Sequence, residues 1–216
     1  IDKLAVYARH FGFGERMLHF NGESAGIVPT RKYHDHNTRG GFQHGLSLSS
    51  AIGQGAVQTT PLQMAIGFST LANHGIVYRP QLLLQTQDIR GNVTQKMTPE
   101  VVRRLNADPH HVNLVRRSLE RAVNDPKRAT GYRAAVPMGR VAGKTGTAQV
   151  KTIVRGHKRQ RVERWQDRDH AWFAAFAPYE SPRVTVVVFL EHGGSGGKDA
   201  APVARQIIEG YHQEIE

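Results

Sequence analysis

Residues 140–150 read Arg-Val-Ala-Gly-Lys-Thr-Gly-Thr-Ala-Gln-Val. The centre of this segment, 143–147, is compatible with either a phosphate-binding loop or a β-strand, and the two would belong to different folds. A P-loop follows the rule G-x-x-x-x-G-K-S/T, which would require glycine where this chain has Met138. A P-loop also leads into the N-terminus of a helix, whereas the β-branched residues in 148–154 favour a continuing strand. We therefore predict that 143–147 lie on a strand and bind no nucleotide.

On a strand, the same residues form a candidate peptide-binding site. Gly143 and Gly146 leave the backbone uncovered, so that an extended peptide could pair with it as an added strand. Side chains alternate along a strand, which places Thr145 and Thr147 on one face and Lys144 on the other. The charge of Lys144 and the hydroxyl of Thr147 both suit a carboxylate. The alternative is an edge strand that a lysine merely protects from aggregation.

Two further strands are predicted after this one, at 170–177 and 184–190, the second being Val-Thr-Val-Val-Val-Phe-Leu. The six residues between them are too few for a crossover helix, so we expect the strands to pair antiparallel. A last helix, capped by Asp199, should pack on the sheet through Val203, Ile207 and Tyr211.

Upstream, Thr60-Pro61 predicts the start of a helix that is apolar nearly all round and therefore buried. Asp108-Pro109 opens an amphipathic helix with Val112, Val115, Leu119 and Val123 on its buried face and Arg116 on its polar side. We also predict a short helix capped by Asp2, irregular structure over 21–50, and a strand or hairpin within 77–93. The fold class is α/β of the α+β type, a single domain whose antiparallel sheet is covered by helices on both faces.

Composition limits the function classes. The chain has 216 residues, no cysteine and a formal charge of +11, which excludes disulfide frameworks and thiolate metal sites and favours anionic partners. Residues 151–168 are strongly basic, but only Trp165 could stack on a base, so a solvated hairpin is preferred to a nucleic-acid site. His34, His36 and the pair 110–111 lack metal-ligand spacing, and we expect solvated loop histidines, no metal and no cofactor.

Several strings resemble one enzyme family when they are taken in order. Lys-Thr-Gly is one of three motifs of the penicillin-recognising serine enzymes. The strings are Gly-Glu-Ser-Ala-Gly-Ile-Val-Pro at 22–29, Ala-Ile-Gly-Gln-Gly at 51–55, Thr-Pro-Leu-Gln-Met-Ala at 60–65, Asn-His-Gly at 73–75, Gly-Lys-Thr-Gly-Thr-Ala at 143–148, His-Ala-Trp-Phe at 170–173 and Ala-Pro at 177–178. Their order is similar to that in class B penicillin-binding proteins, and 22–29 with 51–55 most resembles the elongation type, penicillin-binding protein 2.

This resemblance implies a D,D-transpeptidase of the serine β-lactamase-like fold. Such an enzyme cross-links peptidoglycan stem peptides ending in D-Ala-D-Ala, is a β-lactam target, and works beside a cell-wall polymerase in the elongation complex, at the periplasmic face of the bacterial inner membrane. By the same resemblance, Lys144 supplies charge near the substrate carboxylate and the second serine motif, while Thr145 and Gly146 hold the strand geometry. The Thr147 hydroxyl binds the carboxylate, and its N–H serves the oxyanion hole. No nucleic-acid partner is implied.

The sequence departs from the family pattern at the nucleophile. The literal S-x-x-K is Ser195 to Lys198, in a glycine-rich loop after the last strand, where a serine is mobile rather than preorganised. We predict that it is not catalytic, that the nucleophile belongs upstream of Ile1, and that 1–216 is the C-terminal part of a transpeptidase domain, inactive alone. An inactive homologue of the family is a further possibility. The alternative from another class is a basic module that binds nucleic acid or anionic glycan without chemistry.

Overall fold

Six α-helices and seven β-strands make up the regular structure of residues 1–150 and 164–215, the part of the chain that the computed structural model describes. The helices are α1 (Asp2–His10), α2 (Arg31–Asn37), α3 (His44–Ala51), α4 (Pro61–Ala72), α5 (Pro109–Asn124) and α6 (Ala201–Ile215). The strands are β1 (Ile76–Tyr78), β2 (Gln85–Gln87), β3 (Val93–Lys96), β4 (Val101–Arg104), β5 (Ala142–Ala148), β6 (His170–Ala177) and β7 (Val184–Leu190).

The central sheet is antiparallel and has the order β5-β6-β7. In its register Phe173 of β6 lies between Thr145 of β5 and Val188 of β7. The strand β6 is almost wholly buried and carries alanine at four of its eight positions, which lets helices approach the sheet closely. The predicted strands and the antiparallel pairing of the last two are confirmed.

One face of the sheet is covered by α6. Its core contains Phe173 and Val188 from the strands and Ala201, Ala204 and Ile208 from the helix. The predicted contact face is confirmed for Val203, which packs against this core, and wrong for Ile207, which is 46% exposed whereas Ala204 and Ile208 are fully buried. The prediction was based on the spacing of the large apolar side chains. Because α6 lies close to the alanine-rich strand β6, the small residues Ala201 and Ala204 are buried together with Ile208.

The opposite face is covered by α4, which packs Ala72 against Ala142 and Phe176. The helix begins as predicted, since the Thr60 side chain accepts from Gln63 N and the Gln63 side chain accepts from Thr60 N. Helices therefore lie on both faces of the sheet, as predicted.

Helix α5 begins at Asp108, whose side chain accepts from His110 N, and it buries Val112 and Val123 as predicted. The prediction for Arg116 was wrong, because this side chain is only 3% exposed. It donates from Nη1 to Leu71 O and Ala72 O at 2.6 and 2.7 Å. The periodicity of apolar residues predicts that arginines lie on the polar face of a helix. It cannot indicate that an arginine is buried because it caps the end of a neighbouring helix, as Arg116 does.

Three upstream predictions need correction. Residues 21–50 are not all irregular, since they contain α2 and most of α3; α2 is capped by Thr30, whose side chain accepts from Tyr33 N. Asp2 does not cap α1, because its carboxylate accepts from Arg31 N at the start of α2. The region 77–93 contributes to two small sheets rather than one, since β1 pairs with β4 and β2 pairs with β3.

The basic segment predicted to form a hairpin lies mostly outside the described residues, at 151–163; within its last part, Trp165–Asp167 form one 3₁₀ turn. Across 1–150 and 164–215, no helix has both the length and the apolar character needed to cross a bilayer.

Candidate peptide-binding site

The residues Lys144, Thr145, Gly146 and Thr147 lie together on β5, at an edge of the central sheet. Thr145 is opposite Phe173 and Thr147 is opposite Ala171, so both threonines face the side of the sheet that α6 covers. Lys144 is opposite Ala174 and faces the other side. The threonine side chains thus leave the strand on one face and the Lys144 side chain leaves it on the other, as alternation predicts, and the ammonium of Lys144 then turns back to the outer edge beside Thr145.

The outer edge of β5 exposes the backbone groups of Thr145 and Thr147. Thr147 O accepts a hydrogen bond from Gln54 Nε2 at 2.9 Å, and Thr145 O accepts one from Lys144 Nζ at 2.9 Å. Both donors are side chains rather than strand neighbours, so these carbonyls point away from β6. In an antiparallel ladder the N–H and C=O of one residue point to the same edge. The N–H groups of Thr145 and Thr147 therefore also point outward, where a further strand would pair.

The hydroxyl of Thr147 is oriented by the loop that precedes α6. Gly196 N donates to Thr147 Oγ1 at 3.4 Å. Because a hydroxyl has lone pairs and one hydrogen, accepting this bond leaves the Thr147 hydrogen free to donate to an acceptor such as a carboxylate. Thr145 Oγ1 lies 3.5 Å from both Lys144 Nζ and Thr130 Oγ1. The edge therefore offers two hydroxyls and one ammonium within a short span.

The glycines of the strand have a packing role that the sequence did not reveal. A Cβ at Gly143 would lie 2.8 Å from both Ala175 Cβ and Phe173 Cζ, far inside a normal contact. A Cβ at Gly146 would lie 3.1 Å from Trp172 Cβ. We predicted that these glycines keep the strand open to a peptide, but the contacts indicate that they let β5 lie close against β6.

The serine of the literal S-x-x-K stands apart from any catalytic geometry. Ser195 N donates to Asp199 Oδ2 at 2.8 Å, and Lys198 O accepts from Arg133 Nη1 at 3.2 Å. Both side chains are exposed, and within the described residues the Ser195 hydroxyl forms no hydrogen bond with the Lys198 amine. A base that activates a serine must lie within hydrogen-bonding distance of it, which Lys198 does not.

The prediction of solvated loop histidines is wrong about the loops, since His34, His36, His110 and His111 lie in helices, but His36, His110 and His111 are exposed as predicted. His34 is not a solvated loop residue, because it lies in α2, is 2% exposed and contacts Thr38 Oγ1 through Nδ1 at 2.8 Å. His36 in the same helix contacts Lys32 O through Nδ1. In the described ranges, no three His, Asp or Glu side chains gather in a way that could hold a metal ion.

Two surface cavities lie away from β5. The larger, about 550 Å³, is bounded by the end of α5 and the segment after it, and the smaller, about 430 Å³, is bounded by α1 and Asn106. Neither is lined by residues of 143–147. Among the described residues, the candidate site is thus an open strand edge rather than an enclosed pocket.

Two further residues in the quoted strings have roles that sequence reasoning missed. Gln54, in the Ile-Gly-Gln-Gly loop, reaches Thr147 O, as described above. Glu23 accepts from the backbone N–H groups of Met17, Leu18 and His19 at 2.7 to 3.2 Å. Burial alone would raise the pKa of Glu23, but these donors stabilise the carboxylate and hold the pKa below its ordinary value. Within the string at 22–29, Glu23 therefore has a structural role.

The sequence matches the family model described as penicillin binding protein transpeptidase domain over residues 1–209. It is 34% identical over 216 residues to a Haemophilus influenzae protein named peptidoglycan D,D-transpeptidase MrdA, an alignment that covers 98% of this chain and 33% of that protein. The chain thus spans about a third of the length of the curated relatives that it matches.

Solved structures of penicillin-binding proteins superimpose on this chain. Penicillin-binding protein 2 of Pseudomonas aeruginosa, solved in complex with WCK 5153, superimposes with a TM-score of 0.77 at 32% identity, covering 98% of this chain and 44% of that one. A Helicobacter pylori structure of penicillin-binding protein 2 in complex with MreC gives a TM-score of 0.71 at 27% identity, covering 97% of this chain and 36% of that one.

Proposed function

Because the chain belongs to the family of penicillin-binding protein transpeptidase domains, we propose that it supplies the substrate-binding strand of a peptidoglycan D,D-transpeptidase. The substrate would be a stem peptide ending in D-Ala-D-Ala. The observation that carries the proposal is the outer edge of β5, where the outward backbone of Thr145 and Thr147 lies beside two hydroxyls and the Lys144 ammonium.

An extended peptide can pair with this edge as an added strand. Its terminal carboxylate accepts from the Thr147 hydroxyl, whose hydrogen the bond from Gly196 leaves free. Lys144 adds a positive charge, and charge-assisted hydrogen bonds are the stronger kind. The Thr147 N–H, on the same edge, donates to the carbonyl oxygen as negative charge develops on it, a role typically worth about 10²- to 10³-fold in rate.

The reaction also needs a nucleophile, which we place in a Ser-x-x-Lys segment preceding Ile1. The serine oxygen attacks the carbonyl carbon of the penultimate D-Ala, the C–N bond breaks, and the terminal D-Ala leaves after its nitrogen takes up a proton. An amine of a second stem peptide then attacks the acyl-enzyme ester, loses a proton and releases the serine hydroxyl. The cross-link forms without a cofactor.

The sheet offers a place for such a segment beside Lys144. On the face that α4 covers, the helix packs over Phe176 and Ala142. Farther along the same face, Trp172 lies opposite Gly146, and its ring is 4.5 Å from that of Phe189, which is 40% exposed. We propose that the nucleophile-bearing segment packs on this partly open apolar area, next to the strand that binds the substrate.

The family also indicates inhibitors and partners. We propose that β-lactams compete with the stem peptide for the β5 edge. By analogy with the Helicobacter pylori complex with MreC, we propose that the full-length protein works in the elongation complex with a cell-wall polymerase. Its site of action would be the periplasmic face of the bacterial inner membrane.

A binding experiment on the purified chain tests the docking step. We expect an N-acylated peptide ending in D-Ala-D-Ala to bind more tightly than the same peptide with a C-terminal carboxamide, as measured by NMR titration. Lys144→Met and Thr147→Val should each weaken binding of the carboxylate peptide about tenfold, since each removes one partner of the anion.

The matched control is Lys127→Met, which removes one exposed positive charge away from β5 and should leave the affinity unchanged. Equal binding of the two peptides, or equal loss in all three variants, would show that only the general positive field attracts the ligand. A fluorescent penicillin should leave no covalent label on the denatured chain. A label on Ser195 would overturn our placement of the nucleophile.

A further inference from the structure

We propose that Gln54 closes the outer edge of β5 in the free protein and gives up Thr147 O to the incoming stem peptide. The inference rests on the proposed function, because it names the residue that controls access to the same strand. Gln54 belongs to the loop after α3 and lies 93 positions from Thr147 in the sequence, yet its Nε2 donates to Thr147 O at 2.9 Å.

The loop that carries Gln54 is held in place by its own backbone. Gln54 N donates to Ser49 O at 2.9 Å, and Gly53 N donates to Ser50 O at 3.0 Å. Gly53 and Gly55 both have φ near +72°, a conformation that glycine adopts without strain. The Gln54 backbone is therefore anchored to the end of α3, and only its side chain needs to move for the bond to Thr147 to open.

The bond occupies the position that a substrate strand requires. Thr147 O points away from β6, and Gln54 approaches it from outside the sheet, on the side where a further strand would be added. A peptide paired with this edge offers its own amide N–H to the same carbonyl. The Gln54 amide is chemically the same kind of donor, so it acts as a stand-in that the peptide displaces.

The arrangement also explains how the edge stays unpaired in the free protein. Exposed strand edges invite pairing with other chains, and proteins protect them with polar or charged side chains. Here Lys144 covers Thr145 O from within the strand, and Gln54 covers Thr147 O from a distant loop. Gln54 is thus a positioning residue that keeps the edge closed to weak partners and open to a ligand anchored by its carboxylate.

A competition experiment tests this directly. Gln54→Met keeps the length of the side chain but removes the donor, so the N-acylated D-Ala-D-Ala peptide should bind about three- to tenfold more tightly, the value of one modest hydrogen bond. A depsipeptide with an ester oxygen in place of the amide N–H that faces Thr147 O displaces the same side chain without replacing its bond, so it should bind more weakly than the amide peptide to both forms of the chain and gain from Gln54→Met by a similar factor.

The matched control is Gln81→Met. Gln81 Nε2 also donates to a backbone carbonyl at 2.9 Å, that of Thr98, but beside the distant β2–β3 hairpin. This variant should bind both ligands like the unmodified chain. As a second measurement, sedimentation velocity should show more self-association for Gln54→Met than for Gln81→Met, because the former uncovers a strand edge.

The outcomes separate the two proposals. If both ligands bind the unmodified chain and Gln54→Met changes neither affinity, the role of Gln54 is overturned while docking on β5 stands. A weaker amide complex in Gln54→Met would mean that Gln54 contacts the ligand instead of competing with it. Failure of both ligands to bind any variant overturns docking and the Gln54 role together.

Discussion

At the level of single residues, the geometry of β5 depends on a position that has no side chain. Gly143 precedes the lysine of the site and lies on the face of β5 that turns toward α6. Its absent Cβ makes room for Phe173 and Ala175, which are fully buried in the main core. Interiors are close-packed, so even one methyl group at such a point must displace its neighbours. The glycine thereby links the core to the site, because moving β5 away from β6 also moves Lys144.

Gly143→Ala should therefore destabilise the chain by about 1–3 kcal/mol, the usual effect of overpacking a core. Urea denaturation followed by circular dichroism would measure the loss. Gly210→Ala is the matched control, because a Cβ at Gly210 in α6 meets nothing within 4 Å, and alanine favours a helix by up to about 1 kcal/mol. Equal shifts of both midpoints in the same direction would contradict the packing argument.

At the scale of secondary-structure elements, the sequence predicted those whose own residues specify them. The helix α4 has its cap and its first-turn proline in the sequence, and β7 is a run of β-branched residues. By contrast, α2 and α3 are short and lack apolar periodicity; α2 is fixed by Thr30 and by Asp2, which comes from another helix. Contacts between residues far apart in the sequence leave no local pattern. The contact of Gln54 with Thr147 O at the candidate site is of this kind and was not predicted.

The strand that carries the candidate site was predictable because its motif is local. Lys144, Thr145 and Thr147 are neighbours, and alternation alone assigns their faces. The identity of the groups that surround them was not predictable, since Gly196 and Thr130 are brought to the strand by the tertiary fold. The position of Ile208 rather than Ile207 against the sheet likewise depends on how closely α6 approaches β6.

The Arg116 side chain connects α5 to the end of α4 and to the segment after β6. Besides the two carbonyls at the end of α4, it donates from Nη2 to Tyr179 O at 3.1 Å, and its guanidinium lies 5.0 Å from the Phe176 ring centre. Burial lowers the pKa of Arg116, and the nearby Tyr179 partly opposes this effect. The side chain thus satisfies the buried carbonyl of Ala72 and adds a second donor to Leu71 O, which also accepts from His74 N.

Arg116→Met should lower the free energy of unfolding by about 2–4 kcal/mol, since it leaves the buried Ala72 carbonyl without a donor and removes the bonds to Leu71 O and Tyr179 O. Arg117→Met, at the neighbouring exposed position, should change it by less than about 0.5 kcal/mol. Urea titrations of the two variants make the comparison. Equal effects of the two substitutions would mean that only the charge of α5 matters and that the contacts of Arg116 do not stabilise α4.

At the scale of the whole molecule, burial is distributed very unevenly. The main core joins β6 and β7 to α6 and to Val123 of α5. A second, smaller core packs Met17 and Ile66 against Val77 of β1. The β2–β3 hairpin belongs to neither, and Leu82, Leu84 and Ile89 beside and within it are 71% or more exposed. Segments with little buried apolar surface open without unfolding the rest.

Amide hydrogen exchange followed by mass spectrometry should therefore separate three levels of protection. Peptides from β6 should exchange slowest, through global unfolding, because this central strand is paired on both edges and buried on both faces. Peptides from β2 and β3 should exchange fastest. The β1–β4 pair is an internal control, since it is also two-stranded but buries Val77 completely, and it should fall between the two. If β2–β3 were as protected as β1–β4, pairing rather than burial would set local stability here, and the uneven distribution of cores would not govern how this molecule opens.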